Sequence, residues 1–459
     1  MKKEITWDSR HAKIITELFD EFNKNKIKYF VLRNYKKLPE INESKDIDII
    51  VEPKSIYEAK AILKHIFKSN EIIYYYERVF STLHCCHGIN NKNNFSIHID
   101  LISSYVSKGY EIFTFDEMYN HTISYKNFYA LNDYFEGVMV FIYKQFNYNP
   151  KLKEEYKKII YNTYKNYSEF EFLLNNLLGR DLTNKITQCI EDKDFDLMLS
   201  YSKKLTHKLK NYTLKKRPIK TIYLINKFIT NKINTNILHF NKNLKFFSVM
   251  APDGAGKTTF LDNLLDEILF YFVNSVLQER ITLYHFRPTI LPNLGAIGEK
   301  AKVMKQDTDY SNPHRAKPAT KLSSLVRITY YWFDYIIGYI IYGYKDVKFE
   351  KFTVFDRYIY DFIVDPRRSR INLPTWVRKL YVKLTPQPKI VFYLHADADV
   401  IFKRKQELTL EEIKRQNEIY LDLAKSNKRF KILDANRHYD ESVNEALKIV
   451  LDTFCEKLN

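Results

Sequence analysis

A short glycine-containing loop between two apolar segments constrains the fold of this 459-residue chain more than any other feature. Residues 246–250 (FFSVM) form an apolar run with the length of a buried strand. The loop APDGAGKTT follows at 251–259, and from Phe260 onward the apolar residues recur at helical spacing. The order of strand, Gly-containing loop, Lys-Thr and helix predicts a P-loop.

The chemistry of such a loop is phosphate binding. Glycines let backbone N–H groups surround phosphates without a Cβ clash, and the helix N-terminus adds partial positive charge. Lys257 is expected to reach the outer phosphates, and the Thr258 hydroxyl is expected to ligate Mg²⁺. Ala251 replaces the first Gly of the usual pattern, which is a small departure. The predicted ATP-binding residues are Asp253, Gly254, Ala255, Gly256, Lys257, Thr258 and Thr259.

Three later segments repeat the pattern of a predicted strand followed by polar residues, and a predicted helix carries a basic run. The strand segments are FTVFDRY at 352–358, KIVFYL at 389–394 and FKILDAN at 430–436, and the basic run is FKRK at 402–405. Together with the loop, they resemble the thymidylate kinase family over about residues 246–456. The resemblance implies an ATP- and Mg²⁺-dependent P-loop kinase with an α/β fold, in which helices flank a parallel sheet and a helical lid covers the site. It also implies a homodimer.

The resemblance further implies roles for individual residues. Asp356 is expected to hold Mg²⁺ or to orient the acceptor, and Arg357 and Arg287 to clamp the acceptor phosphate. Arg404 is expected to stabilise the transferring phosphoryl group. The predicted catalytic residues are therefore Lys257, Asp356, Arg357 and Arg404, with Thr258 and Asp356 at the metal. A structural Asp356–Arg357 ion pair, a surface Arg287 and another basic lid residue stay open as alternatives.

The run DPRRSR at 365–370 departs from what thymidine recognition requires. It is more similar to divergent kinase-like relatives found with bacterial surface-polysaccharide genes. Two classes of phosphorylated acceptor therefore stay open, a nucleoside monophosphate and a sugar or polyol phosphate.

Paired carboxylates mark the N-terminal half. Asp46 and Asp48 alternate with apolar residues, so both project from one face of a predicted strand, and Asp100 lies on a later one. Three such carboxylates can bind two Mg²⁺ ions for nucleotidyl transfer. The pattern resembles the nucleotidyltransferase superfamily over about residues 10–125, although only Ser44 remains of its usual Gly-Ser, with Arg33 as the substitute phosphate contact. An active nucleotidyltransferase, a degenerate ligand-binding fold and a chance pattern all stay open.

The sequence HCCH at 84–87 contains the residue types that bind zinc in structural sites. Adjacent cysteines are poor tetrahedral chelators, because structural sites normally space the pair by two to four residues. We therefore interpret this segment as a half-buried strand.

Four domains follow from the patterns. We predict a nucleotidyltransferase-like α+β domain at 1–125, a helical appendage at 126–200, a basic linker at 201–245 and the kinase domain at 246–459. The linker holds 12 Lys and Arg and no carboxylate, out of a net charge of +18. This charge indicates a solvated connection or peripheral contact with an anionic membrane, rather than nucleic acid.

The remaining composition bounds the class of protein. Four cysteines are too few for a disulfide scaffold of this size, and the N-terminal residues contain no apolar signal core. We expect a soluble cytoplasmic enzyme. Two alternatives to a simple kinase stay open: a bifunctional kinase and nucleotidyltransferase, and an ATP-binding regulatory or membrane-associated module.

Overall fold

The computed structural model describes the chain in segments that form two compact units. The described residues are 7–44, 46–78, 82–90, 95–144, 152–234, 237, 240–272, 281–292, 319–348, 351–454 and 456–457. The first unit runs to Ile233 and includes 456–457, and the second begins at Asn234.

The first unit combines one large sheet with many helices. Its helices are α1 (Ser9–Lys24), α2 (Ile56–Ser69), α3 (Phe115–Tyr119), α4 (Asp133–Lys144), α5 (Glu154–Asn166), α6 (Ser168–Leu178), α7 (Arg180–Glu191), α8 (Phe195–Ser200), α9 (Ser202–Lys216) and α10 (Pro218–Ile233), with a 3-10 turn at Pro53–Ser55. Its strands are β1 (Tyr29–Val31), β2 (Ile47–Val51), β3 (Ile73–Arg78), β4 (Leu83–Asn90), β5 (Phe95–Ile102), β6 (Thr122–Tyr125) and β7 (Phe128–Leu131).

The sheet of the first unit is mixed. Within the described residues its order is Glu456–Lys457, β3, β4, β5, β2, β1, β7, β6. The pairs β2–β5 and β1–β7 are parallel and the other neighbours are antiparallel. In the parallel pair β2–β5, Asp48 is in register with Asp100. Two strands predicted to carry carboxylates are therefore direct neighbours.

Two apolar layers cover this sheet. The odd-numbered residues of β2, such as Ile47 and Ile49, pack in one core cluster with residues of α1 and α2. Ile50 belongs to the other cluster, with residues from the helical region after β7. The alternation places Asp48 on the second face.

Two domain boundaries differ from the expected ones. Residues 128–131, expected in a helical appendage, form strand β7, and Ala130 pairs with Val31. Residues 201–245 do not form a solvated linker in the described chain, because α9 and α10 occupy 202–233 in the first unit. The four-residue spacing of Leu205 and Leu209 gives α9 an apolar face, and both side chains are fully buried.

The second unit is an α/β sandwich. Its helices are α11 (Phe240–Asn243), α12 (Lys257–Phe272), α13 (Lys321–Lys348), α14 (Asp361–Val364), α15 (Thr375–Leu384), α16 (Ala398–Arg404), α17 (Leu410–Ser426) and α18 (Tyr439–Phe454). Its strands are β8 (Lys245–Met250), β9 (Ile281–His285), β10 (Phe352–Asp356), β11 (Ile390–His395) and β12 (Phe430–Asp434).

The sheet of the second unit is parallel throughout the described strands, in the order β12, β11, β8, β10, β9. Five of the six residues of β8 are buried, as expected for a central strand that is covered on both faces. The carboxyl ends of parallel strands meet at one edge, where ligands of such sheets bind. This edge brings together the loops that carry the predicted kinase residues.

Candidate active site

The loop between β8 and α12 has the backbone geometry of a phosphate-binding turn. Gly254 and Gly256 have φ values of +87° and +85°, in the left-handed region that favours glycine. A Cβ at position 256 would meet no atom within 4 Å, whereas one at position 254 would lie 3.0 Å from Lys405 Cβ. Ala251 and Ala255 are buried, so the small side chain in place of the usual first Gly fits its site. The open side of the loop is therefore at Gly256.

Lys257 and Asp356 meet at the edge of the sheet. Lys257 is the first residue of α12, and its Nζ lies 2.5 Å from Oδ1 of Asp356, the last residue of β10. The second carboxylate oxygen lies 3.1 Å from His285 Nδ1 at the end of β9. Thr258 and Thr259 follow Lys257 in the first helical turn and are exposed. One carboxylate therefore contacts the lysine predicted to bind phosphate.

Arg357 occupies a strained and buried position immediately after β10. Its φ is +71°, and its backbone N–H donates to Val249 O at 2.9 Å. The guanidinium forms ion pairs with Asp253 in the loop and, at 3.1 Å, with Asp361 of α14. Burial lowers the pKa of Arg357, but the two carboxylates outweigh it and raise the pKa well above its usual value. Arg357 therefore stays charged beside the phosphate-binding loop.

Arg368 is a site residue that the sequence analysis did not assign. Its guanidinium forms ion pairs with Asp253 and, at 3.4 Å, with Asp365. Burial alone would raise the pKa of Asp253, yet the charges of Arg357, Arg368 and Lys257 lower it. The basic run at 365–370 was the available signal, but it did not show which arginine turns toward the loop.

Arg287 lies beside a buried carboxylate rather than on the open surface. Its Nη1 lies 2.8 Å from Asp334 Oδ2 on α13, and the guanidinium stacks over Tyr331 at 5.4 Å. The backbone N–H groups of Thr289 and Leu291 donate to the same Asp334 carboxylate at 3.1 and 2.7 Å. Asp334 therefore holds the segment after β9 against α13, and Arg287 forms part of that contact.

Arg404 ends α16 and donates to Ala435 O at 3.3 Å. That carbonyl directly follows β12. The next residue, Lys405, is the one whose Cβ approaches Gly254. Of the predicted basic lid cluster, Lys405 is thus beside the phosphate loop, and Arg404 is bonded to a neighbouring turn.

A separate carboxylate cluster lies in the first unit. Oxygen atoms of Asp46, Asp48 and Asp100 lie within 4.8 Å of one another. Arg33 Nε donates to Asp48 Oδ2 at 2.8 Å, which makes Arg33 a partner of the cluster. Burial raises the pKa of Asp48 to about 6, with the charges of Asp46 and Asp100 adding to the rise and Arg33 opposing it.

Ser44, the remnant of the upstream motif, also bonds within this cluster. Its hydroxyl donates to the backbone carbonyl of Asp46 and lies 3.2 Å from Asp46 Oδ1. The structure thus brings together all three predicted carboxylates, and Ser44 positions the first of them.

The parallel sheet, the loop at its edge and the converging arginines define an α/β nucleotide-binding unit of the kinase type. Residues 312–446, in the C-terminal part of the chain, match the family model of thymidylate kinase. The match contains Asp356, Arg357 and Arg404 and begins after the loop at 251–259. A search of curated proteins gave no match. Among the described helices, none is both long and apolar enough to cross a membrane.

Proposed function

We propose that the second unit transfers the γ-phosphoryl group of ATP to a small phosphorylated acceptor. The observation that carries this proposal is the convergence on Asp253. A carboxylate inside the phosphate-binding loop holds two arginines, Arg357 and Arg368, at the loop. Two guanidinium groups at one place suit a doubly charged phosphate, because each can bind oxygen atoms through two parallel N–H groups.

The residues of the loop fit a nucleotide triphosphate. Two left-handed glycines turn the backbone ahead of the 16-residue helix α12, whose N-terminus favours an anion. The Thr258 hydroxyl and the Asp356 carboxylate are the oxygen donors that would hold Mg²⁺. Bound ATP supplies the phosphoryl group, and Mg²⁺ neutralises charge on its phosphates.

The chain's own residues then position the reacting groups and neutralise their negative charge. Asp356 would hold the metal ion, and Lys257 would bind phosphate oxygens. Arg357 and Arg368 bind the acceptor phosphate, and Arg404 or Lys405 approaches the loop from α16. His285, at 3.1 Å from Asp356, restrains that carboxylate from the β9 side. Catalysis in this class of reaction consists mostly of such positioning and charge stabilisation.

The acceptor class is nucleoside monophosphate or sugar or polyol phosphate. The basic run at 365–370 supports a strongly anionic acceptor, and a surface-polysaccharide pathway is the setting that the resemblance suggests. The test is transfer of isotopically labelled γ-phosphoryl from ATP to members of an acceptor panel. A labelled bisphosphate or diphosphate product supports the proposal, and label released only as inorganic phosphate contradicts it.

We infer a second candidate function, nucleotidyl transfer, for the first unit. Asp48 on β2, Asp100 on the neighbouring strand β5 and Asp46, which directly precedes β2, carry it, since such a cluster can hold two Mg²⁺ ions. Asp48→Asn is expected to abolish pyrophosphate release from a nucleoside triphosphate and to leave ADP formation intact. Asp181→Asn, at a carboxylate whose side chain is 80% exposed, is the control. Absence of pyrophosphate with every triphosphate and acceptor tested would remove this candidate.

A further inference from the structure

A second cluster of metal-ligating side chains lies next to the carboxylate cluster, on the same face of the sheet. Strands β4 and β5 pair antiparallel with Cys85 opposite Asp100 and His87 opposite His98. Because alternate residues of a strand share a face, these four side chains project together. Ligand atoms of Cys85, His98 and Asp100 lie within 4.8 Å of one another.

The contacts within this cluster converge on one carboxylate. His98 Nε2 lies 2.9 Å from Asp100 Oδ1, and the Cys85 thiol hydrogen-bonds to the same aspartate. Cys85 and Asp100 are buried, with only 6% and 8% of their surface exposed. The ring of His87 stacks on His98 with centroids 4.1 Å apart, which fixes the orientation of the His98 imidazole. Three different donor types are thus oriented around one point, with Cys85 and Asp100 buried and His98 partly buried.

We propose that Cys85, His98 and Asp100 bind a divalent transition-metal ion of the zinc class. A sulfur, an imidazole nitrogen and a carboxylate oxygen are the donors that zinc takes, whereas Mg²⁺ takes oxygen. Ligand atoms about 2.1 Å from a tetrahedral ion lie about 3.4 Å apart, so the His98–Asp100 contact widens by about 0.5 Å when the ion enters. Three protein ligands leave a fourth position for water or substrate.

Asp100 is common to both clusters. Its carboxylate belongs to the set with Asp46 and Asp48 and to the set with Cys85 and His98. A carboxylate has two oxygen atoms, so it can bridge an oxygen-ligated ion on one side and a sulfur-ligated ion on the other. The oxygen-ligated positions of the carboxylate cluster and the zinc-class position would then share Asp100. Binding of the zinc-class ion displaces the proton of the Cys85 thiol to solvent, since the thiolate is the ligand.

The neighbouring cysteine shows why the contiguous sequence HCCH did not reveal this site. Cys86 points to the opposite face, where its Sγ lies 3.0 Å from Tyr74 Oη within the apolar core. The ligand set is assembled across two strands and not along one, and it does not depend on the kinase proposal.

The test uses Co²⁺ as a spectroscopic probe on the full chain after treatment with a chelator. A thiolate-to-cobalt charge-transfer band at one equivalent is expected in the wild type. Cys85→Ser removes the band, and His98→Gln weakens Co²⁺ binding by more than about tenfold. Cys86→Ser is the matched control, and it and Asp46→Asn keep the band. Circular dichroism of each metal-free variant establishes that it is folded.

Zn²⁺ is then added to displace the cobalt, and loss of the band at one equivalent supports a zinc-class site. Three results would overturn the proposal: wild-type protein without a thiolate band, a band that survives Cys85→Ser, or a band lost in Cys86→Ser. If a variant fails to fold, the presence or absence of the thiolate band in the wild-type protein alone tests the proposal.

Discussion

Lys257 and Asp356 form an ion pair of 2.5 Å that links the start of α12 to the end of β10. The lysine expected to bind phosphate is therefore held by the carboxylate expected to hold Mg²⁺. Both side chains are mostly buried, with 12% and 15% of their surface exposed. The proposed nucleotide and Mg²⁺ would replace this pair together, because a phosphate would bind the lysine and the metal ion would bind the aspartate.

This relationship predicts the effect of Asp356→Asn. The amide keeps the size of the side chain and removes the charge that holds the metal ion. We expect kcat to fall by about 10²-fold or more, since the carboxylate that would hold the metal ion against the charge of the transition state is lost. Binding of ATP without Mg²⁺ should be retained or strengthened, because Lys257 is released. Calorimetric titration with ATP and steady-state kinetics measure the two effects, and equal loss of both would contradict this role.

Arg368→Gln tests the acceptor side of the site. Arg368 contacts Asp253, and its side chain is 26% exposed, so its removal is not expected to unfold the unit. We expect the KM for the acceptor to rise about tenfold, the value of one lost charge-assisted contact, with the KM for ATP nearly unchanged. Arg367→Gln removes the same charge from an exposed position in the same run and is the control. Equal changes in both variants would show a general charge effect.

Glu117 provides a pH-dependent test of how the basic residues at 201–245 pack in the first unit. The carboxylate accepts from Thr114 N at 2.8 Å and from Lys216 Nζ at 2.9 Å, and it pairs with Arg217. Burial raises the pKa of Glu117, but these partners outweigh it and lower it to about 2. A depressed folded-state pKa stabilises the fold above the unfolded value of 4.5, and this stabilisation is lost as the pH falls through about 2.

Glu117→Gln is therefore expected to lower the free energy of unfolding of the first unit by about 1 kcal/mol at pH 7, after allowance for solvent screening of a partly exposed group. The difference should shrink progressively below pH 4.5, which calorimetry at several pH values can follow. A difference that is independent of pH would contradict the ion pairs between α3 and the α9–α10 segment.

The sequence predicted well those parts of the fold that depend on neighbouring residues. β8, the turn at Gly254 and Gly256, and α12 follow one another within 30 residues, so apolar periodicity and glycine placement suffice. The strands of the carboxylate cluster were predicted for the same reason. A homodimer and a cytoplasmic location remain predictions.

Features that depend on strand register or on long-range packing were missed. Arg368 reaches Asp253 across 115 residues, and Cys85 meets His98 only through the pairing of β4 with β5. The lysines of α9 concealed its apolar face, which is why the segment was expected to be a linker. Physical contacts of this kind have no local signature in one sequence.

We propose that α10 contacts an anionic membrane surface. Ile222, Tyr223 and Ile229 are 61%, 60% and 48% exposed on this helix, which also carries Lys227 and Lys232. Each lysine near an anionic surface contributes about 1 kcal/mol, so replacing both with Gln should weaken binding to phosphatidylserine vesicles about 30-fold. Co-sedimentation measures this effect, with Lys68 and Lys185 replaced as the control. Equal binding to neutral phosphatidylcholine vesicles, or none to either, would contradict the proposal.

The central claim is that the second unit is a kinase whose phosphate-binding loop acts through Lys257. The most direct measurement is ADP formation by the full chain with ATP, Mg²⁺ and a panel of nucleoside monophosphates, sugar phosphates and polyol phosphates. Lys257→Ala is the test variant, and Lys383→Ala, at an exposed lysine of α15, is the control. The account predicts ADP formation that requires one acceptor class and falls about 10²-fold or more in Lys257→Ala alone. ATP binding without turnover on any acceptor, or turnover that survives Lys257→Ala, would contradict it.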